Sequence, residues 1–158
     1  MKLKRSIFNE YTGESKVTLN HHGEDYTGFA LLHPNDWVNA SKYAGCRLAE
    51  KRAHIKYLKK KRDEARLKRD ALISFYKDLN NVASDTTTTI PTFVIKRICV
   101  HINYWNEAYK DAKYQIDFLN KSIKDDINTR EKILLQKSKK TGINLFEIME
   151  DNRTKEKN

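Results

Sequence analysis

A mixed α+β fold that is mostly helix is what this sequence predicts: a small N-terminal antiparallel β-hairpin or meander, then a long antiparallel two-helix coiled-coil hairpin. Three observations predict it. Short apolar and β-branched runs separated by turn residues lead up to Pro34. Two later stretches free of Gly and Pro carry apolar residues at alternating three- and four-residue spacing. Between those stretches lies a Ser/Thr-rich segment that ends in Pro91.

The β part reads as three strands. Leu3 to Phe8 is followed by the turn Thr12-Gly13-Glu14-Ser15, Lys16 to His21 by the turn His22-Gly23-Glu24-Asp25, and Tyr26 to Leu32 by His33-Pro34. Pro34 cannot continue a ladder, and Asn35 and Asp36 are good acceptors for the free amides of a helix start. Trp37, Val38 and Tyr43 are expected to pack back on the strands, with Gly45 a local break or a point of close backbone approach.

From about Cys46 to Leu79 the positions Leu48, Ile55, Leu58, Ala65, Leu72, Tyr76 and Leu79 define one helical seam, interrupted by Lys51, Arg62 and Arg69 where an apolar residue is called for. Residues 80–91 are expected to form the loop, with Pro91 as a first helical residue for a second helix that runs to about Lys139 and is capped by Gly142. The second seam is unbroken over Ile98, Ile102, Trp105, Tyr109, Ala112, Ile116, Leu119 and Ile123. Asp126 and Arg130 then interrupt it, so the far end either splays or meets the charged seam positions of the first helix as polar partners. The expected organisation is a β module at 1–36, the helical hairpin at 37–140, and at 141–158 a short amphipathic segment (Ile143, Leu145, Phe146, Ile148, Met149) with a flexible tail.

A seam of this length requires a partner, since an isolated helix cannot bury its own apolar face. The preceding helix is one candidate and a second subunit another. The apolar area of Ile102, Trp105, Tyr109, Ile116, Leu119 and Ile123 against an imperfect partner leads to the expectation of a homodimer.

The formal net charge of +10 attracts polyanions, which makes nucleic acid the first partner to consider and an acidic protein the next. Two cysteines and the absence of a long apolar run point to a reducing cytoplasm and no membrane partner.

Several chemistries are weighed and set aside. His21, His22 and His33 lack the cysteine pairs or His repeats of a metal site, so no metal is expected. Cys46 or Cys99 with His33, His54 or His101 has no spacing that selects a catalytic set, and the five isolated glycines form no phosphate loop. No catalytic residues and no cofactor are expected. The sharpest signal is the basic run on the first helix: Arg47, Arg52, Lys56, Lys59, Lys60, Lys61, Arg62, Arg66 and Arg69 are the candidate contacts to nucleic acid or an anionic partner. Its plain alternative is a solvated helix surface. Tyr57, Tyr104 and Tyr114 lie off the seam and are candidates for base stacking where exposed.

The stretch Gly28-Phe29-Ala30-Leu31-Leu32-His33-Pro34-Asn35-Asp36 with Gly45-Cys46-Arg47-Leu48-Ala49-Glu50-Lys51-Arg52-Ala53 resembles a pattern of small uncharacterised bacteriophage accessory proteins, in which a strand ending in Pro and Asp precedes a Gly-x-Arg-x-Ala helix. The resemblance covers residues 28–53 and implies a phage protein acting in the host cytoplasm, of a class rich in non-enzymatic inhibitors of host nucleases, defence complexes or transcription. It carries over no functional residue. The expected role is therefore engagement of nucleic acid or a nucleic-acid-handling host complex by the basic hairpin. The alternative is a protein-only or small-anion-binding inhibitor acting through the β module and the Arg47 to Arg52 junction.

Overall fold

The computed structural model describes residues 1–31, 42–86 and 89–141. Along the chain come β1 (Lys2–Asn9), β2 (Glu14–His21), β3 (Glu24–Leu31), α1 (Lys42–Thr86) and α2 (Thr92–Thr141). This is the expected α+β, mostly α fold: a three-stranded antiparallel sheet in the order β1-β2-β3, then two long helices. Two compact units result, Met1–His54 with Leu119–Asn158 and Ile55–Phe118, so the division falls inside both helices. The expected helix start at Pro34 to Asp36, the packing of Trp37 and Val38, the Gly142 cap and the segment from Ile143 lie outside the described residues.

In the first unit the β2–β3 connection is a two-residue turn. His22 (φ 49°) and Gly23 (φ 86°) both take the left-handed conformation of a type I′ turn, whose twist matches that of the flanking strands. At the other hairpin the Asn9 side chain accepts hydrogen bonds from the amides of Tyr11 and Thr12. β1 carries a bulge: Leu3 faces Leu19 and Arg5 faces Thr18, leaving Lys4 as the extra residue. Its ammonium reaches Asp25 on β3, which also accepts from Asn20 on the strand between them.

Alternation along β2 sends Ser15, Val17 and Leu19 to one face, where they are buried with Gly28 and Ala30 of β3. The start of α1 covers that face. Val17, Leu19, Ala30, Ala49 and Ala53 form one cluster, with Cys46 and Leu48 packed on its edge. Small residues make the close approach possible. A Cβ on Gly28 would run into the Ala49 carbonyl oxygen and the Ala53 amide, and one on Gly45 would run into the Ser15 hydroxyl. Gly45 is thus the close approach, not the break. Tyr43 does not pack on the strands as expected. It is 88% exposed, because two residues of helix turn it to the side opposite Gly45.

Farther along this unit, Lys51 of α1 meets Ser122 and Asp126 of α2. The charged interruptions of the two seams therefore find each other. Leu119, Ile123, Asp126 and Arg130 are all half-buried.

In the second unit α1 and α2 run antiparallel. Lys68 lies over the Trp105 ring, and Arg69 reaches Asn106 and lies over the Tyr109 ring. Ile55, Leu58, Ala65, Ile98, Ala112 and Ile116 are buried, while Leu72, Tyr76, Leu79, Ile102, Trp105 and Tyr109 are half-buried. α1 extends seven residues past Leu79, so the expected loop over residues 80–91 is shorter. The hydroxyls of Ser84 and Thr86 bond back to the carbonyls of Asn80 and Val82, which accommodates these poor helix formers within the helix. α2 opens with the Pro91 carbonyl accepting from the Val94 and Ile95 amides, so Pro91 stands one position before the helix.

Candidate nucleic-acid interface

The basic run sits on a helix whose register is set by the seam, and that register sorts its members. At about 100° per residue, Lys56, Lys59, Lys60 and Arg66 share one flank of α1, within roughly a 120° arc. All four are exposed. Lys61 is also exposed but lies on the other flank, the side of Lys68. Asp63 and Glu64 are interspersed on the basic side, and Lys60 approaches Glu64 at 4.0 Å. Leu67, 65% exposed, lies amid these cations.

Arg62 and Arg69, two of the expected contacts, occupy seam positions and are half-buried. Arg62 donates twice to Asp63; Arg69 donates to Asp70 and Asn106 and stacks on Tyr109. A guanidinium suits this place, since its flat face covers an aromatic ring while its edge finds carboxylates. The sequence signal for the division was present: both arginines interrupt the apolar repeat, whereas Lys59 and Lys60 do not.

Arg47 and Arg52 belong to the first unit, and both are exposed. Five residues of helix set them about 140° apart, so they do not converge on one ligand. Arg52 donates to the Phe29 carbonyl at 2.8 Å. Counted from the turn, ladder alternation places that carbonyl on the side of β3 facing away from β2, so Arg52 caps a free edge of the sheet.

His21 and His22 have ring centroids 4.3 Å apart because His22 leaves the strand at the turn, and among the described residues no cluster of three His, Cys, Asp or Glu side chains could hold a metal ion. Cys46 accepts from the Ser6 hydroxyl and is half-buried, whereas Cys99 is exposed; both are free thiols. Burial pushes the His54 imidazole below its ordinary value; the N-terminal amine acts in the same sense, and Glu50 opposes it. The Lys4 ammonium bonded to Asp25 holds that carboxyl below its usual range, with Asn20 adding to the effect. Tyr57 is half-buried, while Tyr104 and Tyr114 are exposed, Tyr104 standing edge-to-face on Trp105 with centroids 4.9 Å apart.

Electrostatically, the Lys56 to Arg66 flank is a row of exposed cations along roughly 15 Å of helix. Such a row neutralises phosphates in any orientation and reads no base edge. Comparison with protein-family models, with curated proteins and with solved structures found no match.

Proposed function

We propose that this chain is a non-enzymatic interaction protein that engages nucleic acid, or a host complex handling nucleic acid, through the basic flank of α1. The observation that carries the reading is the exposed set Lys56, Lys59, Lys60 and Arg66 on one side of a helix whose other side is committed to α2. The net charge of +10 supplies the long-range attraction. No helix among the described residues is long and apolar enough to cross a membrane, and the reading places the protein in the cytoplasm, of a phage-infected host if the resemblance over residues 28–53 holds. There it would act by occupying a polyanion or its enzyme, as an inhibitor of host defence would.

The test is binding of labelled duplex DNA and RNA at low and at physiological salt. Binding should be largely indifferent to sequence and should weaken steeply with salt, since each phosphate contact releases a condensed counterion. Lys59→Glu with Lys60→Glu and Lys61→Glu should abolish it with helicity unchanged. Failure of the native protein to bind either polymer at low salt would leave the basic flank as a solvated surface or a dock for an acidic protein.

A further inference from the structure

The seam is expected to close on the preceding helix, on a second subunit, or on both; α1 supplies a partner within the chain, and what α2 leaves open is its opposite side. Phe93, Val100, Tyr104, Tyr114 and Phe118 are each between 61% and 72% exposed. With Arg97, Glu107 and Asp111 they occupy positions 93, 97, 100, 104, 107, 111, 114 and 118, which step by four and three residues. That is a second heptad-spaced stripe, turned about 200° from the seam. The whole stripe lies in the second unit.

We infer that this stripe is a self-association surface on which a second copy of the chain lies antiparallel, α2 against α2. Read backwards, the spacing is the same, so a two-fold axis between residues 105 and 106 brings every position against another member of the stripe. Phe93 then faces Phe118 of the second copy, Arg97 faces Tyr114, Val100 faces Asp111 and Tyr104 faces Glu107. Beside the stripe, Lys96 faces Asp117. Aromatic pairs close the two ends, and a cation meets a ring or a carboxylate next to them. At the centre the Tyr104 hydroxyl donates to the Glu107 carboxylate, which Lys110 of its own helix also holds at 2.8 Å. Asp111 is likewise bonded by Gln115 of its own helix at 2.9 Å.

Charge selects both the occupant and its direction. A parallel pairing stacks Glu107 on Glu107 and Asp111 on Asp111, like charges at two consecutive layers. A nucleic acid stacked on Tyr104 and Tyr114 would bring its phosphates against Glu107, Asp111 and Asp117. The antiparallel second copy is the arrangement that pairs Glu107 with a phenol and Asp117 with an ammonium, leaves Asp111 to Gln115 of its own helix, and keeps the basic flank of α1 open.

Sedimentation of the full chain across micromolar to millimolar concentration is expected to show a monomer of 18.6 kDa passing to twice that mass. Tyr114→Glu with Phe118→Glu should hold the protein monomeric with unchanged helicity, both side chains being exposed. In a Cys46→Ser, Cys99→Ser background, Phe93→Cys combined with Phe118→Cys should oxidise to a covalent dimer, while Phe93→Cys alone should not. A native chain that remains monomeric throughout overturns the proposal. So does a double Glu variant that still dimerises, or a Phe93→Cys variant that cross-links to itself.

Discussion

The Ser15 hydroxyl is fully buried under Gly45 and has no hydrogen-bond partner among the described residues. A buried hydroxyl without a partner costs its desolvation, so Ser15→Ala should leave stability unchanged or raise it by about 1 kcal/mol, read from the denaturation midpoint. Gly45→Ala, which at an exposed helix position would gain about 1 kcal/mol, should here lower stability because the new methyl group meets Ser15. Ser15→Gly combined with Gly45→Ala should recover much of the loss. Gly28→Ala has no such remedy, since its Cβ would meet backbone atoms of α1, and hydrogen exchange at the Val17 and Leu19 amides should accelerate strongly. The sequence reading placed Ser15 in a turn, where serine is usual. Its actual place in β2 depends on a glycine thirty positions away, which no local pattern reports. His54 adds a pH dependence: its folded-state pKa is depressed, so below about pH 6.5 the unfolded chain takes up the proton first. Stability should therefore fall as pH drops through that value, and His54→Gln should flatten the slope in denaturant melts at pH 7.5 and 5.5. Equal slopes in both proteins would show that the burial of His54 is not felt.

The helices were the most legible elements because the alternating spacing extends over many turns, and the apolar seam positions up to Ile123 are buried or half-buried, whereas Ile133, beyond the charged interruptions, is exposed. The charged seam positions were legible as interruptions, and their roles only as alternatives. The structure selects mutual pairing for Lys51 and Asp126, and ring stacking for Arg69. The end of α1 was misplaced because residues 80–86 are poor helix formers one by one, whereas the helix is held by packing and by hydroxyls bonded to its own carbonyls. Lys51 is only 13% exposed and its partner 39%, so Asp126→Ala should cost about 1–2 kcal/mol, less than for a fully buried pair. Lys51→Met with Asp126→Leu should restore most of that stability. Thermal unfolding of the three variants decides the point, and a double variant as weak as the single one would mean the ion pair is not the relevant contact. Ile116→Asp places a carboxylate in the packed seam of the second unit and should cost roughly 3–5 kcal/mol, seen as early loss of the helical circular dichroism signal. The outer stripe of α2 is not legible as a unit in the sequence, because Arg97, Glu107 and Asp111 break its apolar run and its tyrosines lie off the seam, where aromatics also suit base stacking.

At the scale of the whole molecule, the excess of positive charge is a property that the sequence states outright and that folding only distributes. Distribution matters for the binding experiment. Lys56, Lys59, Lys60 and Arg66 share a flank, so Lys56→Glu with Arg66→Glu should weaken polyanion binding as strongly as changes at adjacent positions, whereas Lys113→Glu with Lys121→Glu on α2 should reduce it only modestly through net charge. Titration at two salt concentrations separates the two cases, and equal effects from both pairs would mean that overall charge alone is at work. The seat of the sheet on α1 has a different consequence. Gly45, Ala49 and Ala53 place three small residues one turn apart, and nowhere else between Lys42 and Thr86 does the sequence repeat that arrangement. A sheet with glycine at its own contact point can dock against α1 in one place only, as a key is admitted by one notch. The strands therefore act as a positional index: they mark residues 45–53 as the one stretch of α1 on which the sheet can seat.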